Sequence, residues 1–542
     1  MDPALTTIIQ RSGIDLDVQS FVQVAEYVNG RFKGILNLRE PTNDKFVYAN
    51  YGYDDDEIDM FENDEFKNGT NVAYKRLVEL SSRINEAGVY DEVNTLLDVD
   101  EFVNYMAAEL YLGNDDWPNN NVKAYRSLDD GRFRFICFDL DYSFNEWGQT
   151  IASALDGYSS VKMVKLFKNL LEHDGFRRKF IDTFCIMAGS VFEKERVSVI
   201  VDELADAMRP NSQYDGKLPD NSANKIKNKL KDRLPNLIDQ LQKYKPMQLS
   251  GVQKQSVRIS ADVSGATIFM NGIKVPYADF NGQLFDPVQL EAQAPAGYRF
   301  VRWEKGGSIY SRKSVVNLPK NSSFSMKARF EPLTDGERKD QGITPVRINE
   351  VSAANSIYVN EFFKRNDWVE LYNTTDQDID VEGMYLSDNA DNSKKYQISK
   401  ANGLSTLIPA RGYLIIWCDK LDPLSQFHAP FKLAAEGDEL LLTAADDSWT
   451  DRFTYTAMKG DETIGRYPDG SNSVITMNVP TIAKTNIIGS YATVVSQPDP
   501  VGISDVVAQQ ASQPTYNLSG QVVLGGLKPG IYIRNGHKIV IK

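Results

Sequence analysis

Residues 113–144 bring together side chains that can bind a hard metal ion. The stretch reads GNDDWPNNNVKAYRSLDDGRFRFICFDLDYSF and contains Asp116, Asn121, Asp139 and Asp141. Carboxylates beside large apolar side chains are costly unless a metal ion or a hydrogen-bond network compensates them. Mg²⁺ prefers oxygen ligands, usually one or two carboxylates completed by phosphate oxygens and water. The stretch is therefore a candidate site for Mg²⁺ or Mn²⁺.

The spacing of these residues suggests phosphoryl transfer. Asn121 follows Asp116 by five positions, and Asp139 follows it by 23 positions, on an apolar, strand-like run. In protein kinases an Asp of the catalytic loop accepts the substrate hydroxyl proton. An Asn five residues later and an Asp on a following strand hold Mg²⁺. Asp and Asn are also common loop residues, and a cluster of Asx-turns fits the spacing equally well. Spacing alone leaves both interpretations open.

Composition narrows the function classes. The chain has 542 residues, enough for several domains, and a net charge of −14, which disfavours general nucleic-acid binding. A carboxylate-metal nuclease would suit Asp116 and Asp139 but not this acidic surface. The three histidines are far apart, which disfavours a His-rich zinc site or a Ser-His-Asp hydrolase. The three cysteines lie in apolar runs and are predicted to be buried thiols.

The regions around the acidic stretch alternate between strand and helix patterns. Residues 20–50 read as strands, with a hairpin at Asn29-Gly30. Residues 54–65 are so acidic that we expect a surface loop. Helical periodicity is found at 71–112, 160–208 and 222–244, the last interrupted at Pro235. Asp98 or Asp100 is expected to cap the helix that leads into the acidic stretch.

The chain changes to all-β patterns at about residue 250. Alternating runs cover about 254–333, and a second set with the spacing of a sandwich covers 346–490. Residues 495–515 are rich in Ser, Gln and Pro, and a final hairpin pattern follows. No stretch approaches the ~18 apolar residues of a membrane span. The first residues lack the pattern of a signal peptide.

The residues of the acidic stretch resemble the signature of the CotH kinase family. The pieces NDDWPNNNVKAYR and GRFRFICFDLDYSF are similar to its Asn-x-Asp-Trp-Pro and Asp-Leu-Asp-x-Ser-Phe motifs. EYVNGRFKGILNLRE is similar to its Asn-Gly strand pair, and LFKNLLEHDGFRRKFIDTF to its C-lobe helix. The resemblance covers about residues 10–245.

This resemblance implies an atypical kinase-like fold that transfers phosphate from ATP to protein. It implies that Asp116 is the base and that Asn121 and Asp139 are metal ligands for Mg²⁺ or Mn²⁺. Asp141 and Asp115 are further candidate ligands. Glu40 is a weaker candidate for the site, and a surface strand end is the alternative for it.

The sequence also departs from the family pattern. Members usually have more strands before the Asn-Gly hairpin, whereas here the hairpin stands almost at the start of the sequence. The sequence shows no Gly-rich phosphate loop and no convincing strand lysine to hold phosphates. We therefore expect an incomplete N-lobe, with ATP turnover impaired or absent. The missing signal peptide agrees with a truncated secreted precursor.

The second half of the chain resembles modules of bacterial surface proteins. INEVSAAN, DWVELYN, LIPARGYLIIWCD and GRYPDG are similar to the lamin-tail domain, an immunoglobulin-like sandwich. Within it Asp367, Trp368 and Glu370 could suggest a site, but Trp368 is expected to be core. GYRFVRWE and KARF are similar to small β repeat domains. The final GIYIRNGHKIVIK resembles the C-terminal sorting hairpin of type IX secretion in the Bacteroidetes, and an ordinary terminal hairpin is the alternative.

Together these patterns predict a multidomain α+β protein that is secreted or attached to the cell surface. The expected parts are a partial atypical kinase-like domain at 1–245, a small β repeat domain at 250–335, a lamin-tail sandwich at 346–490, a linker at 491–514 and a sorting-like β-hairpin at 515–542. One functional hypothesis is Mg²⁺-dependent phosphorylation of a protein substrate by ATP. The other is a non-catalytic surface adhesion module that binds glycan or protein on a kinase-like scaffold. No nucleic acid and no membrane span are expected in either case.

Overall fold

A computed structural model describes most of the chain. The structure describes residues 2–128, 131–144, 150–215, 219–400, 403–458, 462–477, 480–486, 530–534 and 537–541. For residues 210–215, 335, 530–534 and 537–541 only the backbone is described. The predicted linker 491–514 lies outside the described residues, as does most of the predicted hairpin 515–542. The domain boundaries given above stay predictions.

The first 244 residues combine helices with one mixed sheet. The helices are α1 Asp2–Ser12, α2 Asp44–Tyr51, α3 Val72–Ser81, α4 Val89–Asn94, α5 Val99–Leu112, α6 Ile151–Asp156, α7 Lys162–Leu170, α8 Asp174–Ile186, α9 Lys194–Asp215, α10 Pro219–Leu230 and α11 Arg233–Lys243. The strands are β1 Asp17–Val18, β2 Phe21–Val28, β3 Arg31–Arg39, β4 Ile58–Glu62, β5 Glu65–Asn68, β6 Lys123–Ser127 and β7 Arg134–Cys137. The sheet order is β1-β7-β6-β4-β5, with β1 parallel to β7.

The hairpin at Asn29-Gly30 is confirmed. Strands β2 and β3 pair with each other, and both turn residues have positive φ, 51° and 74°, as a type I′ turn requires. Among the described residues the hairpin pairs with no further strand. It therefore leaves apolar side chains exposed, including Val22, Leu36 and Leu38.

Two local predictions in this region were wrong. Residues 44–51 form helix α2 rather than a strand, and the helix begins after Asn43, whose side chain accepts a hydrogen bond from the Lys45 N–H at 3.0 Å. Residues 58–62 form the buried strand β4 rather than part of a loop. Asp59 is tolerated there because Arg126 on the neighbouring strand forms an ion pair with it at 2.7 Å.

The middle region is built from two antiparallel-rich sheets. Its strands are β8 Lys254–Ala261, β9 Thr267–Met270, β10 Ile273–Lys274, β11 Asp279–Phe285, β12 Gln289–Gln293, β13 Tyr298–Lys305, β14 Ser308–Ser311, β15 Val315–Asn317 and β16 Phe324–Pro332. The orders are β10-β9-β12-β15 and β11-β8-β16-β13-β14. Helix α12, Asp335–Asp340, follows.

The middle region shares one apolar core with the helical region. The core runs from Leu5 to Phe330 without a break between residues 245 and 250. At the junction the Ser190 hydroxyl oxygen lies 2.6 Å from the carbonyl oxygen of Pro276 and 2.7 Å from that of Asp279, and its single proton can be donated to either. The secondary structure therefore changes at residue 250 while the core continues.

The third region is a sandwich with its own core. Its strands are β17 Val346–Ser352, β18 Asp367–Asn373, β19 Ile379–Asp380, β20 Tyr385–Ser387, β21 Tyr396–Gln397, β22 Leu407–Ile408, β23 Tyr413–Cys418, β24 Phe427–Ala429, β25 Gly437–Thr443, β26 Thr450–Thr456, β27 Thr463–Arg466 and β28 Val474–Met477. The six-stranded sheet β24-β23-β18-β17-β27-β28 and the four-stranded sheet β21-β20-β25-β26 contribute to the same apolar cluster. The fold is α+β overall, as predicted.

Trp368 is buried, as expected, but in a smaller cluster on the other face of the six-stranded sheet. It packs there with Tyr358, Trp417 and Ile482. All three cysteines are buried free thiols, as predicted. No described helix is long and apolar enough to cross a membrane.

Near the end of the chain, β29 Gly530–Arg534 pairs antiparallel with β30 His537–Ile541.

Candidate active site

Helix α5 leads directly into the acidic stretch, whose first part connects it to strand β6. Asp98 caps its first turn by accepting a hydrogen bond from the Glu101 N–H at 3.4 Å, which confirms the cap predicted there. The helix ends at Gly113, whose positive φ of 59° turns the chain away from the helix axis. Trp117 then anchors the loop, since its buried indole N–H donates to the Tyr105 hydroxyl of the same helix at 2.9 Å.

Asp116 and Asn121 are brought together by this loop. The Oδ2 of Asp116 accepts hydrogen bonds from the amide groups of Asn120 (3.1 Å) and Asn121 (3.4 Å). Asp116 is half-buried and Asn121 is buried. Because the Nδ2 of Asn121 is engaged with Asp116, its Oδ1 is the atom that could bind a hard cation.

Asp139 follows strand β7 in a left-handed backbone conformation, with φ of 57°. Its carboxylate lies 4.0 Å from the guanidinium of Arg39, which also forms an ion pair with Asp2 at 2.9 Å. Asp2 in turn accepts a hydrogen bond from the Leu140 N–H at 2.8 Å. Helix α1 therefore contributes a carboxylate to the site, although nothing in the local sequence around residue 2 indicates this role.

The carboxylates of the site raise the pKa of Asp139. Partial burial is the largest cause, followed by the negative charges of Asp141 and Asp2; Arg39 lowers the pKa and Asp116 raises it further. Four carboxylates thus act on one another electrostatically and are only partly neutralised. A divalent cation would relieve this repulsion, and the oxygen-only donor set fits Mg²⁺ or Mn²⁺.

No group of three or more His, Cys, Asp or Glu side chains in the described part of the chain is arranged to hold a metal ion. A cation here would therefore need the Asn121 oxygen, phosphate oxygens or water in addition to carboxylates. Asp141 is exposed, in a single helical turn after Asp139. Asp115 is buried, and its N–H donates to the carbonyl oxygen of Tyr142 at 3.1 Å.

A strand lysine contacts the ring of the residue before Asp139. Lys123 on β6 lies 3.3 Å from the carboxylate of Glu62 on the neighbouring strand β4. Its ammonium also donates to the Thr42 hydroxyl at 2.9 Å and lies 4.6 Å from the ring centroid of Phe138, the residue before Asp139. The pairing of β6 with β4, which sets these contacts, is not visible in the local pattern around residue 123, and the expectation that no strand lysine holds phosphates stays a prediction.

Two further glutamates of this region are held by hydrogen bonds. Glu40 accepts hydrogen bonds from the Ser20 hydroxyl (2.8 Å) and the Asn50 amide (2.7 Å), so its carboxylate holds the base of the hairpin. Glu109 is fully buried on α5, and burial raises its pKa to about 8 against the opposing effect of hydrogen bonds from Asn114 and Cys137. Glu109 is therefore largely protonated at neutral pH.

The arrangement has the parts of a kinase-like scaffold. Residues 2–244 match the family model described as CotH kinase protein, and residues 341–457 match the model of the Lamin Tail Domain. The chain therefore carries a CotH kinase domain followed by a lamin-tail domain, as the resemblances predicted. The first match begins at residue 2, so helix α1 and its Asp2 belong to the CotH kinase domain. No curated protein matches the chain.

Proposed function

We propose that the CotH kinase domain transfers the γ-phosphoryl group of ATP to a hydroxyl group of a protein substrate. The hydroxyl oxygen forms a bond to the γ-phosphorus, the bond from that phosphorus to the bridging oxygen breaks, and ADP leaves. The observation that carries the proposal is the convergence of Asp116, Asn121 and Asp139 on one site beside the guanidinium of Arg39.

Each residue has a role that its surroundings permit. Asp116 would accept the proton of the attacking hydroxyl, because amide donors hold its carboxylate at the site. Asn121 and Asp139 would hold a divalent cation, with Asp141 as a further ligand; when bound, the cation neutralises charge on the phosphates. Arg39, whose guanidinium lies 4.0 Å from the carboxylate of Asp139, would bind phosphate oxygens, and Lys123 is a second candidate for this role.

A non-catalytic role is the second candidate. It is favoured by the β2–β3 hairpin, which pairs with no other strand in the described residues and so offers little of a nucleotide-binding lobe. Phosphoryl transfer depends mainly on positioning and charge neutralisation. A chain that binds the cation but positions ATP poorly would act as a scaffold, with its β domains binding a surface glycan or protein.

Metal titration combined with a transfer assay tests both candidates. Calorimetry with Mn²⁺, with and without ATP, would be followed by transfer of radiolabelled phosphate. Asp139→Asn keeps the shape of the side chain and tolerates the left-handed backbone, but removes the charge, so it should abolish metal binding. Asp116→Asn should leave metal binding mostly intact and abolish transfer. Asp91→Asn, an exposed aspartate on α4, is the matched control.

The outcomes separate the candidates. Phosphate transfer that depends on Asp116 supports the kinase. Metal binding without transfer supports the scaffold. If the unaltered protein binds neither Mn²⁺ nor ATP, the proposed site is wrong.

We also propose that the protein is extracellular or attached to the cell surface. The support is the lamin-tail domain and the pairing of β29 with β30, which agrees with the predicted terminal hairpin. Residues 515–542 fused to a reporter should carry it to the surface of a host that has type IX secretion. A reporter that stays in the periplasm would contradict this.

A further inference from the structure

A large cavity lies where the helical, middle and sandwich regions meet. Its volume is about 1370 Å³, and its walls come from helix α1 and the loop after it, from the segment between β8 and β11, and from the sandwich near Tyr413 and Lys484. Asp116, Asn121 and Asp139 are not among its described lining residues. The cavity is therefore separate from the candidate active site.

Most charged side chains that line the cavity are neutralised by partners. The pairs are Arg11 with Glu203, Asp15 with Arg134 (2.7 Å), Lys179 with Asp100, and Asp279 with Arg196 (2.9 Å). Two cations remain, Lys274 on strand β10 and Lys484 in the segment that covers the sandwich. In the described part of the chain, neither ammonium has a carboxylate oxygen within 4.0 Å. The described lining therefore carries two lysines without a directly contacting carboxylate.

The surroundings of both lysines disfavour the charged ammonium form and so lower its pKa. Lys484 lines the cavity and is accessible to water, and desolvation by the protein around it lowers its pKa to about 8. Desolvation also lowers the pKa of the half-buried Lys274, partly offset by the charge of Asp469. A desolvated ammonium without a partner costs free energy, and a bound anion would recover part of it.

The carboxylate whose charge acts on Lys274 does not fill this role, because it is engaged elsewhere. Asp469 is buried and accepts hydrogen bonds from the Tyr413 hydroxyl (2.7 Å), the Asn349 amide (3.1 Å) and the Asn486 N–H (2.9 Å). The Tyr413 oxygen also lies 3.3 Å from the hydroxyl of Thr485, the neighbour of Lys484. The wall beside the lysines therefore presents hydroxyl groups as well as positive charge.

We propose that this cavity binds an anionic small molecule, with Lys274 and Lys484 contacting its carboxylate or phosphate oxygens. The hydroxyl groups of Tyr413, Tyr467 and Thr485 line the same space and suit a ligand that also carries hydroxyl groups, such as an acidic sugar. The volume exceeds the ~300–1,000 Å³ of ordinary small-molecule pockets, so more than one sugar unit fits. The two walls belong to different regions, so the ligand would bridge the middle region and the sandwich.

Calorimetry on the full chain at low salt tests this site with two probes. Pyrophosphate represents phosphate oxygens, and a digalacturonate represents carboxylates on a sugar; the tighter of the two identifies the source of the anion. Lys274→Met and Lys484→Met each remove a charge-assisted contact and should weaken binding by about tenfold or more. Lys400→Met, an exposed lysine already paired with Asp380 and Glu382, should leave binding within about twofold.

Amine labelling gives a second measurement that does not depend on affinity. At pH 8 a lysine with a pKa near 8 is far more nucleophilic than an exposed, paired one, so Lys484 should be acetylated faster than Lys400. The tighter probe should protect Lys484 from acetylation. Asp139→Asn should change neither binding in the cavity nor this protection, which separates the cavity from the candidate active site.

Several results would overturn the proposal. One is the absence of binding for either probe up to millimolar concentration, and another is equal binding by the unaltered protein and the two lysine variants. Acetylation of Lys484 at the rate of Lys400, with no protection by the probes, would also contradict it.

Discussion

Glu350, one of two glutamates buried in the sandwich, is expected to hold its proton far above the usual pH range of a carboxyl group, and its hydrogen bonds give the reason. Glu350 on β17 accepts from the Thr463 hydroxyl (2.6 Å) and the Thr481 N–H (2.9 Å), and its Oε2 lies 2.7 Å from the Thr481 hydroxyl. The same hydroxyl lies 2.7 Å from the Oδ1 of Asn486. A threonine hydroxyl has one proton and cannot donate to both oxygens.

The orientation of Asn486 excludes the alternative in which its amide N–H donates to the Thr481 hydroxyl. Its Nδ2 donates to the carbonyl oxygens of Asn349 (3.3 Å) and Arg466 (2.9 Å), so its Oδ1 must face Thr481 as an acceptor. A protonated Glu350 completes the chain, because its O–H donates to Thr481, which then donates to Asn486. Burial raises the pKa of Glu350 to about 7, against the opposing bonds from Thr463 and Thr481.

This raised pKa makes stability depend on pH. Below the unfolded-state pKa of about 4.3, Glu350 is protonated in both states and costs nothing. As pH rises towards the folded pKa of about 7, the unfolded chain releases its proton more readily, and stability is lost. A rise of between two and three pKa units corresponds to about 3 kcal/mol lost between pH 4.5 and 7.5.

Glu350→Gln should remove this contribution. The glutamine Nε2 would take the place of Oε2 and donate to Thr481, so the hydrogen bonds stay complete without a titrating proton. We expect the variant to match the unaltered protein at pH 4.5 and to be about 2–3 kcal/mol more stable locally at pH 7.5. Glu382→Gln, an exposed glutamate paired with Lys400, is the control and should change little.

Hydrogen exchange of peptides from β17 and β18 measures the local opening free energy, which suits a chain of several regions. The reasoning would be refuted if Glu350→Gln lost stability at pH 4.5, since the amide would then not replace the protonated acid. It would also be refuted if the pH dependence of exchange were the same in the variant and the unaltered protein.

Two substitutions test the junction between the helical and middle regions. Gly189→Ala should lower the free energy of unfolding by about 1–3 kcal/mol, because a Cβ there would lie 2.5 Å from the ring of Phe280. Gly336→Ala is the control, since its Cβ meets open space and should cost little. Thermal unfolding compares the two variants. Arg178→Met should cost at least about 2 kcal/mol in the same assay, because it leaves the buried carboxylate of Asp182 without its ion pair at 2.7 Å. Equal stability of Gly189→Ala and Gly336→Ala, or an Arg178→Met protein as stable as the parent, would contradict the packing described here.

Local signals in the sequence predicted local structure well. Asn29-Gly30 predicted a hairpin because only a few residues tolerate positive φ, and Asp98 predicted a helix start because its oxygen can bond a free N–H. The acidic residues before Ile58 suggested a solvated loop instead of a strand. The partner that makes burial tolerable, Arg126, is far along the chain and gives no local sign.

The candidate site likewise contains residues that the sequence identified and a residue that it did not. Asp116, Asn121 and Asp139 could be identified because their spacing and neighbouring residues form a motif. Asp2 could not, because it enters the site through a tertiary contact, the hydrogen bond that its carboxylate accepts from the Leu140 N–H. Sequence patterns give residue types along the chain, whereas strand order decides which of them become neighbours.

The core shared by the helical and middle regions limits where another protein module could be fused to this chain. The CotH kinase match ends at residue 244, but the ring of Phe280 fills a space beside Gly189, and Arg178 donates to the backbone oxygens of Phe285, Asp286 and Pro287. A gene fusion that joined another module at residue 245 would expose this surface and remove the backbone acceptors that Arg178 and Ser190 find in the middle region. In this chain the apolar core extends to Phe330, so a fusion that kept the core intact would join the new module after β16.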